Sequence, residues 1–280
     1  MRKLESRLYA AGYCRNFAAA THRGDPWRVK RYPAICALIR HPDRGNVVFD
    51  TGYSAAFREA TENLPWRLYG IATPVRLDRG QSLAEQLARD GVEAEGVSTL
   101  ILSHFHADHV SGLGDFPGAE IITDLSGWHS VRDLTGMRAL RKGFIPSLVP
   151  RWFEERVTWV GDLPRIPLAS MGPFGWGYDL FGDGSLVAVR LEGHAAGQIG
   201  LVFDDTSHGL TFLCADAAWS RRAVRENAGP GWLGRQALDD PGKAAATLSK
   251  LHALHIANPS VRIVPSHCEE VWEEIKGGRT

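Results

Sequence analysis

Val97-Ser98-Thr99-Leu100-Ile101-Leu102 runs directly into Ser103-His104-Phe105-His106-Ala107-Asp108-His109. The first six residues form a short apolar run of buried-strand type. The residues that follow place three imidazoles and a carboxylate within six positions, which is a metal-ligand density. Imidazole suits zinc, iron and related ions, and Asp adds a hard anionic donor. A turn leaving a strand end can point alternate side chains into one cavity, whereas a continuous helix at this spacing cannot. Upstream, Ser82-Leu83-Ala84-Glu85 is a capping box that opens a helix through about Arg89, and Gly91 suits its end. Helix followed by buried strand indicates an α/β layered fold.

Working outward, Ala34–Ile39 and Val47–Phe49 flank the turn Pro42–Asn46 as a hairpin does. In the second half, Leu186–Val189, Ile199–Phe203 and Leu210–Leu213 read as strands, and Val261–Val264 as one more. Pro241 to about His255 and Glu269–Lys276 read as helices. Three further candidate ligands stand just past predicted strands: His194 in Gly193-His194-Ala195, Asp216 in Cys214-Ala215-Asp216, and His267 in Pro265-Ser266-His267. Alone, a His beside Gly is usually structural, and an Asp can simply cap a helix. Together, each supplied by a strand end, they converge where α/β proteins build sites.

The composition bounds the partners. Of 280 residues, 44% are hydrophobic and 23% charged, which suits one globular domain over 1–280. Lys and Arg number 32, Asp and Glu 32, and this zero balance argues against nucleic acid. No apolar run approaches the roughly 18–20 residues that span a bilayer. The charge-interrupted N-terminus carries no signal-peptide region, so a cytoplasmic protein off the membrane is expected. The four scattered cysteines fit free thiols in a reduced compartment.

These motifs resemble the metallo-β-lactamase-fold superfamily of metal-dependent hydrolases. The shared order is H-x-H-x-D-H, then a single His, an Asp and a last His, with Phe49-Asp50-Thr51-Gly52 matching the family's early Asp-Thr-Gly turn, which supports the metal loop. The resemblance implies a four-layer αββα sandwich and two divalent metal ions, zinc foremost, with iron, manganese or cobalt as alternatives. By it, His104, His106 and His194 bind one ion, Asp108, His109 and His267 the second, and Asp216 bridges them. It also implies attack by a metal-bridging hydroxide, with Asp108 passing the proton to the leaving group.

Within the family, an Asp at 216 and the absence of an export signal speak against true β-lactamases. The complete second ligand set speaks against mono-iron persulfide oxidisers, and a length that leaves no residues for a flavodoxin-like domain speaks against flavin-linked members. Size, the Asp-Thr-Gly turn and the ending Val-Pro-Ser-His-Cys-Glu-Glu look most like the quorum-quenching N-acyl-homoserine lactonases. The expectation is hydrolysis of a small ester or lactone, with a phosphoester hydrolase or a thioesterase of hydroxyacylglutathione-hydrolase type as alternatives. A sensor or scaffold without turnover is a further reading, which the intact ligand set opposes. One departure stands out: many lactonases place a Tyr three residues after the bridging Asp, and here that residue is Trp219, whose indole donates one hydrogen bond without a phenol's geometry.

The stretch of about 125–185 is rich in aromatics, Gly and Pro, and reads as a helical insertion. As a lid it brings Trp152, Phe153, Phe174 and Trp176 to an acyl or ring substrate; as a local core it buries them against each other. Phe57, Leu64, Trp66, Leu68 and Tyr69 offer a second apolar candidate, for the pocket rim or a homodimer contact. Arg221, Arg222 and Arg225 follow Asp216 closely and can hold a carboxylate or phosphate, or form a solvated face.

Overall fold

In the computed structural model, which describes residues 1–278, two β-sheets face each other and share one long strand. The strands are β1 (Lys3–Phe17), β2 (Val29–His41), β3 (Gly45–Phe49), β4 (Val75–Arg76), β5 (Val97–Ile101), β6 (Glu120–Thr123), β7 (Val157–Trp159), β8 (Arg165–Pro167), β9 (Trp176–Asp179), β10 (Val187–Arg190), β11 (Ile199–Asp205), β12 (Gly209–Ala215) and β13 (Arg262–Pro265). The helices are α1 (Ala18–Thr21), α2 (Ala55–Ala60), α3 (Arg67–Ala72), α4 (Leu83–Arg89), α5 (Ala107–Val110), α6 (Leu125–Val131), α7 (Gly136–Arg141), α8 (Arg221–Glu226), α9 (Trp232–Arg235), α10 (Pro241–Ala257) and α11 (Glu269–Lys276). The first sheet runs β7-β6-β5-β3-β2-β1, with β4 beside the far end of β1. The second runs β8-β9-β10-β11-β12-β13, and the first residues of β1 join it in parallel through Lys3↔Asp204 and Leu4↔Asp205.

Alternation along the central strands sends successive side chains into different cores, because a strand has a period of two. Ile35, Ala37, Ile39, Val47, Phe49 and Ile101 pack between the sheets against Leu201, Phe203, Leu213 and Val264. Their neighbours Cys36, Leu38, Val48 and Leu100 turn to the outer face of the first sheet, under Leu83 and Leu87 of α4 and Val110 of α5. On the outer face of the second sheet, Val187, Val189, Val202 and Phe212 pack under Leu248, Leu251 and Leu254 of α10. Three cores separating four layers make an αββα sandwich. Strands covered on both faces read as continuous apolar runs, which is how β5, β10 and β11 stand out in the sequence.

Local chemistry fixes the ends. Ser82 and Glu85 form both halves of the capping box on α4. Asp240 caps α10 by accepting the amides of Gly242 and Lys243, each at 3.0 Å, and Pro241 occupies the first turn. The β2–β3 hairpin pairs as its turn implies, through Arg40↔Asn46. β1 itself is not evident from hydrophobic pattern, since charged residues alternate along its exposed face and its register shifts between Ala10 and Tyr13.

The 125–185 stretch is not one helical lid. It holds α6 and α7, then supplies β7 to the edge of the first sheet and β8–β9 to the edge of the second. Its aromatics extend existing cores. Phe153 packs on Phe105 and Trp128, with ring centroids 5.7 and 4.8 Å away, and Phe174 packs on Phe212 at 5.3 Å.

Candidate metal centre

Every candidate ligand leaves the same edge of the sandwich. The turn between β5 and α5, with α5 itself, carries His104, His106, Asp108 and His109. The loop after β10 carries His194, that after β12 Asp216, and that after β13 His267. The backbone is held in an uncommon conformation beside them: Asp50 has φ 57° and Ala215, next to Asp216, φ 47°. A non-glycine residue in this left-handed region costs about 1–3 kcal/mol and persists where packing over-determines it, often at sites. Two glycines allow close approaches. A Cβ at Gly52 (φ +64°) would lie 2.4 Å from that of Ala11, and one at Gly143 (φ +61°) 2.9 Å from Cδ2 of His106.

The ring orientations are set from behind. Ser103 donates to Asp50 through both its amide and its hydroxyl, each at 2.8 Å. With its proton so committed, Ser103 Oγ accepts from Nδ1 of His104 at 2.9 Å. His109 Nδ1 donates to Asp50 Oδ2 at 2.7 Å, and His267 Nδ1 donates to the carbonyl of Pro33 at 2.7 Å. These three histidines therefore turn Nε2 toward one centre, the partner behind engaging Nδ1 and fixing the ring. Facing them, His194 Nε2 lies 2.9 Å from His106 Nδ1 and 3.2 Å from Asp216 Oδ2. His267 Nε2 lies 3.1 Å from Asp216 Oδ2 and 3.4 Å from Asp108 Oδ2.

Ligand atoms of His104, His106, His194 and Asp216 fall within 4.8 Å of one another, as do those of Asp108, His109 and His267. Asp216 touches both groups, since its Oδ1 also lies 3.4 Å from His109 Nε2. The first group holds neutral imidazoles: burial pushes His104 and His106 down and His194 to about 3, with neighbouring rings adding to the effect on His104. In the second, burial acts the same way but carboxylates outweigh it. Asp50, Asp216 and Asp108 hold His109 well above its ordinary value, and Asp216 and Asp108 hold His267 at about 9. Burial works against the charge of Asp216, and His267, His109 and His194 overcome it, keeping the carboxyl well below its usual range. Meanwhile His104 Nε2, His109 Nε2 and Asp216 Oδ1 are buried with no hydrogen-bond partner. Unpartnered polar atoms buried together are costly. A divalent cation among them would satisfy His104 Nε2 and Asp216 Oδ1 and take the place of the protons that the carboxylates favour on His109 and His267, so the residues fit divalent metal.

The cluster opens on a cavity of ≈ 520 Å³. Trp219, Leu68 and Tyr69 line it, with Cys14, Thr21 and Tyr32 from β1, α1 and β2, Leu140–Gly143 at the end of α7, and Leu233 on α9. Trp219 Nε1 donates to Asp216 Oδ2 at 3.2 Å, and its ring meets His194 edge-on. Several residues singled out in the sequence lie elsewhere. Trp152 is half-buried against the first core and stacks under Arg156, Phe174 belongs to the third core, and Trp176 stacks with Arg165 on β9. Arg221 turns away, with Nε donating to the carbonyl of Ile263 at 2.9 Å and the guanidinium paired with Glu274. Arg222 pairs with Asp25 and Glu226, and Arg225 with Glu270. Cys14, Tyr32 and Leu233 were missed because strand pairing and short helices bring them in, not a local motif.

Facing sheets with a histidine–aspartate cluster on one edge define a metal-dependent hydrolase of αββα architecture. The family model for the metallo-beta-lactamase superfamily matches residues 30–267, and the chain belongs to that superfamily. It is 25% identical over 251 residues to the N-acyl homoserine lactonase AttM of Azorhizobium caulinodans, covering 87% of this chain and 85% of that one. It is 26% identical over 193 residues to the probable metallo-hydrolase Rv2300c of Mycobacterium tuberculosis, covering 66% and 56%. Among solved structures, an N-acyl homoserine lactone hydrolase with N-hexanoyl-L-homoserine at its catalytic metal centre superposes with TM-score 0.75 at 16% identity, covering 98% and 97%. The dizinc quorum-quenching lactonase AidC does so with TM-score 0.65 at 16% identity, covering 95% and 88%. Among the described residues, no helix is long and apolar enough to cross a membrane.

Proposed function

We infer that this chain opens small carboxylic esters, lactones above all, at two divalent ions, zinc foremost among the metals that its His and Asp donors accept. The observation that carries this reading is the shared carboxylate: Asp216 touches both ligand groups at the floor of a cavity. His104, His106 and His194 would hold one ion, Asp108, His109 and His267 the other, and Asp216 both. Such a pair, when bound, supplies a hydroxide nucleophile by lowering the pKa of water from about 16 toward 7 and polarises the substrate carbonyl. The chain's own residues do the rest. Asp108 lines the cavity, where its carboxyl can relay a proton to the leaving oxygen. Leu68, Ala72, Leu140 and Leu233 give an acyl chain or ring an apolar wall.

A small-molecule partner fits a cavity of ≈ 520 Å³. The relatives named as N-acyl homoserine lactonases support the lactone over the thioester, which shares the same carbonyl chemistry. The phosphoester reading loses the arginines that suggested it, because each is paired with a carboxylate. The test is elemental mass spectrometry on protein purified without chelator, followed by pH-stat assays on N-acyl-homoserine lactones, simple lactones and aryl esters. Two ions per chain and lactone turnover are expected. One iron per chain with oxygen consumption, or no hydrolysis of any carboxyl ester, would overturn the reading.

A further inference from the structure

An ester carbonyl gathers negative charge on its oxygen as it is attacked, and a donor aimed at that oxygen is worth much in a water-poor site. Several donors on the cavity wall are committed elsewhere, and among the described residues the Asn16 amide and the Thr73 hydroxyl, which donate to nothing, sit on side chains that no aromatic packing holds in place. The hydroxyls of Thr21 and Tyr32 bond each other at 2.6 Å, and Thr21 also reaches the carbonyl of Ala18 at 3.0 Å. The Trp219 indole N–H is spent on Asp216. The Cys14 thiol, pushed up to about 12 chiefly by burial, is a weak donor. Arg141, the one Lys or Arg lining the cavity among the described residues, is exposed.

Tyr69 differs from all of these. It lines the cavity from α3, and its ring packs edge-on against Phe57 at 5.6 Å, which in turn packs on buried Tyr53 at 5.1 Å. Its aromatic body is therefore fixed while its hydroxyl has no hydrogen-bond partner among the described residues. Burial holds this phenol well above its ordinary value, and the charges that add to the effect are Asp108, Cys14 and Asp216. The hydroxyl thus stays protonated and feels both carboxylates at the centre of the cluster.

We propose that Tyr69 is a catalytic residue that donates its phenolic O–H to the carbonyl oxygen of the ester or lactone as that oxygen becomes negative. The proposal rests on the ester and lactone reading above. Hydroxide oxygen bonds to the carbonyl carbon, and the C=O π pair moves onto oxygen, where the Tyr69 hydrogen bond strengthens without proton transfer. The pair then returns as the bond to the leaving oxygen breaks, and Asp108 relays the proton of the added hydroxyl to that oxygen. Tyr69 so supplies, from α3, the donor that Trp219 has committed to Asp216.

The experiment is steady-state hydrolysis of matched aryl and alkyl esters and a lactone by metal-loaded wild type, Tyr69→Phe, Tyr69→Met and Trp219→Phe, with metal content and Tm for each. Both Tyr69 variants are expected to lose about a hundredfold in kcat, equally for aryl and alkyl leaving groups, with KM within about threefold and metal content and Tm unchanged. A kcat within twofold of wild type, or a loss confined to KM, would overturn the assignment. Loss of metal or of folded protein in both variants would make Tyr69 structural and overturn it too. A kcat loss in Trp219→Phe alone would move the role to the indole. Wild type that holds two ions yet turns over none of these substrates would instead sink the hydrolase reading, and this proposal with it.

Discussion

The two sides of the cavity are built on different principles. On one side the ligands hang from strand ends, and His104, His109 and His194 are all buried, with Asp50, Ser103 and the Pro33 carbonyl fixing rings from behind. On the other side the wall rests on α3 and α9, helices of 6 and 4 residues. No residue of α3 is buried, and Leu68, Ile71, Trp232 and Leu233 are all exposed. Helices this short gain little from their own hydrogen bonds and are placed by few contacts. The side that holds the metal ligands cannot move without disturbing a core, whereas on the side that meets the substrate Tyr69 is anchored through Phe57 and its exposed apolar neighbours can change at little cost. One fold can so keep its reaction and change its substrate.

That contrast can be broken by experiment, and the ligand side carries the largest effects. His106→Ala removes a donor of the first group and should cut hydrolysis of every substrate by at least about a thousandfold, with fewer ions bound per chain. Elemental analysis beside the rate measurement checks this, and an unchanged rate would mean the cluster is not where reaction occurs. One step behind, Asp50→Asn keeps a residue that tolerates the left-handed backbone at φ 57° but weakens the acceptor of the His109 bond. Metal affinity should fall about 10- to 100-fold, read by competition with a chromophoric chelator. Equal affinity in this variant would mean that packing alone orients His109.

On the wall side the effects should be smaller and selective. Leu68→Ser and Leu233→Ser each remove apolar surface facing the cavity, about 1–2 kcal/mol of contact for a chain long enough to reach it. KM for long-acyl lactones should rise roughly tenfold, while short-acyl substrates, kcat and metal content hold steady. A uniform loss of kcat across chain lengths would show that the wall and the ligands are mechanically one unit.

The same contrast explains what the sequence made legible. The ligands were readable because His104 to His109 is a local cluster, and because His194, Asp216 and His267 each follow an apolar run whose end can be seen. The layered fold was readable because strands such as β5 and β11 are covered on both faces and cannot hide their composition. The wall was not readable. Cys14 and Tyr32 reach the cavity through the pairing of β1 with β2, and Arg and Glu along the exposed face of β1 mask its strand pattern. Trp152, Phe174 and Trp176 misled for a related reason. Aromatic content states that burial is wanted and leaves open which core supplies it.

The mildest prediction concerns Arg221, which separates nearness in sequence from nearness in space. It stands five residues past Asp216, yet it lies behind the second sheet. There Glu274 takes both its guanidinium and that of Arg262, the latter at 3.0 Å. Its amide also donates to the Cys268 thiol at 3.3 Å. Arg221→Gln should leave ester and lactone hydrolysis within about twofold, because no contact of this side chain faces the cavity. The variant weakens a half-buried pairing, so Tm should fall by about 2–4 °C. Calorimetry and rate assays on the same preparation decide it. A large rate loss at unchanged Tm would return the guanidinium to the substrate, and the division between a ligand side and a wall side would then need a third, cationic member.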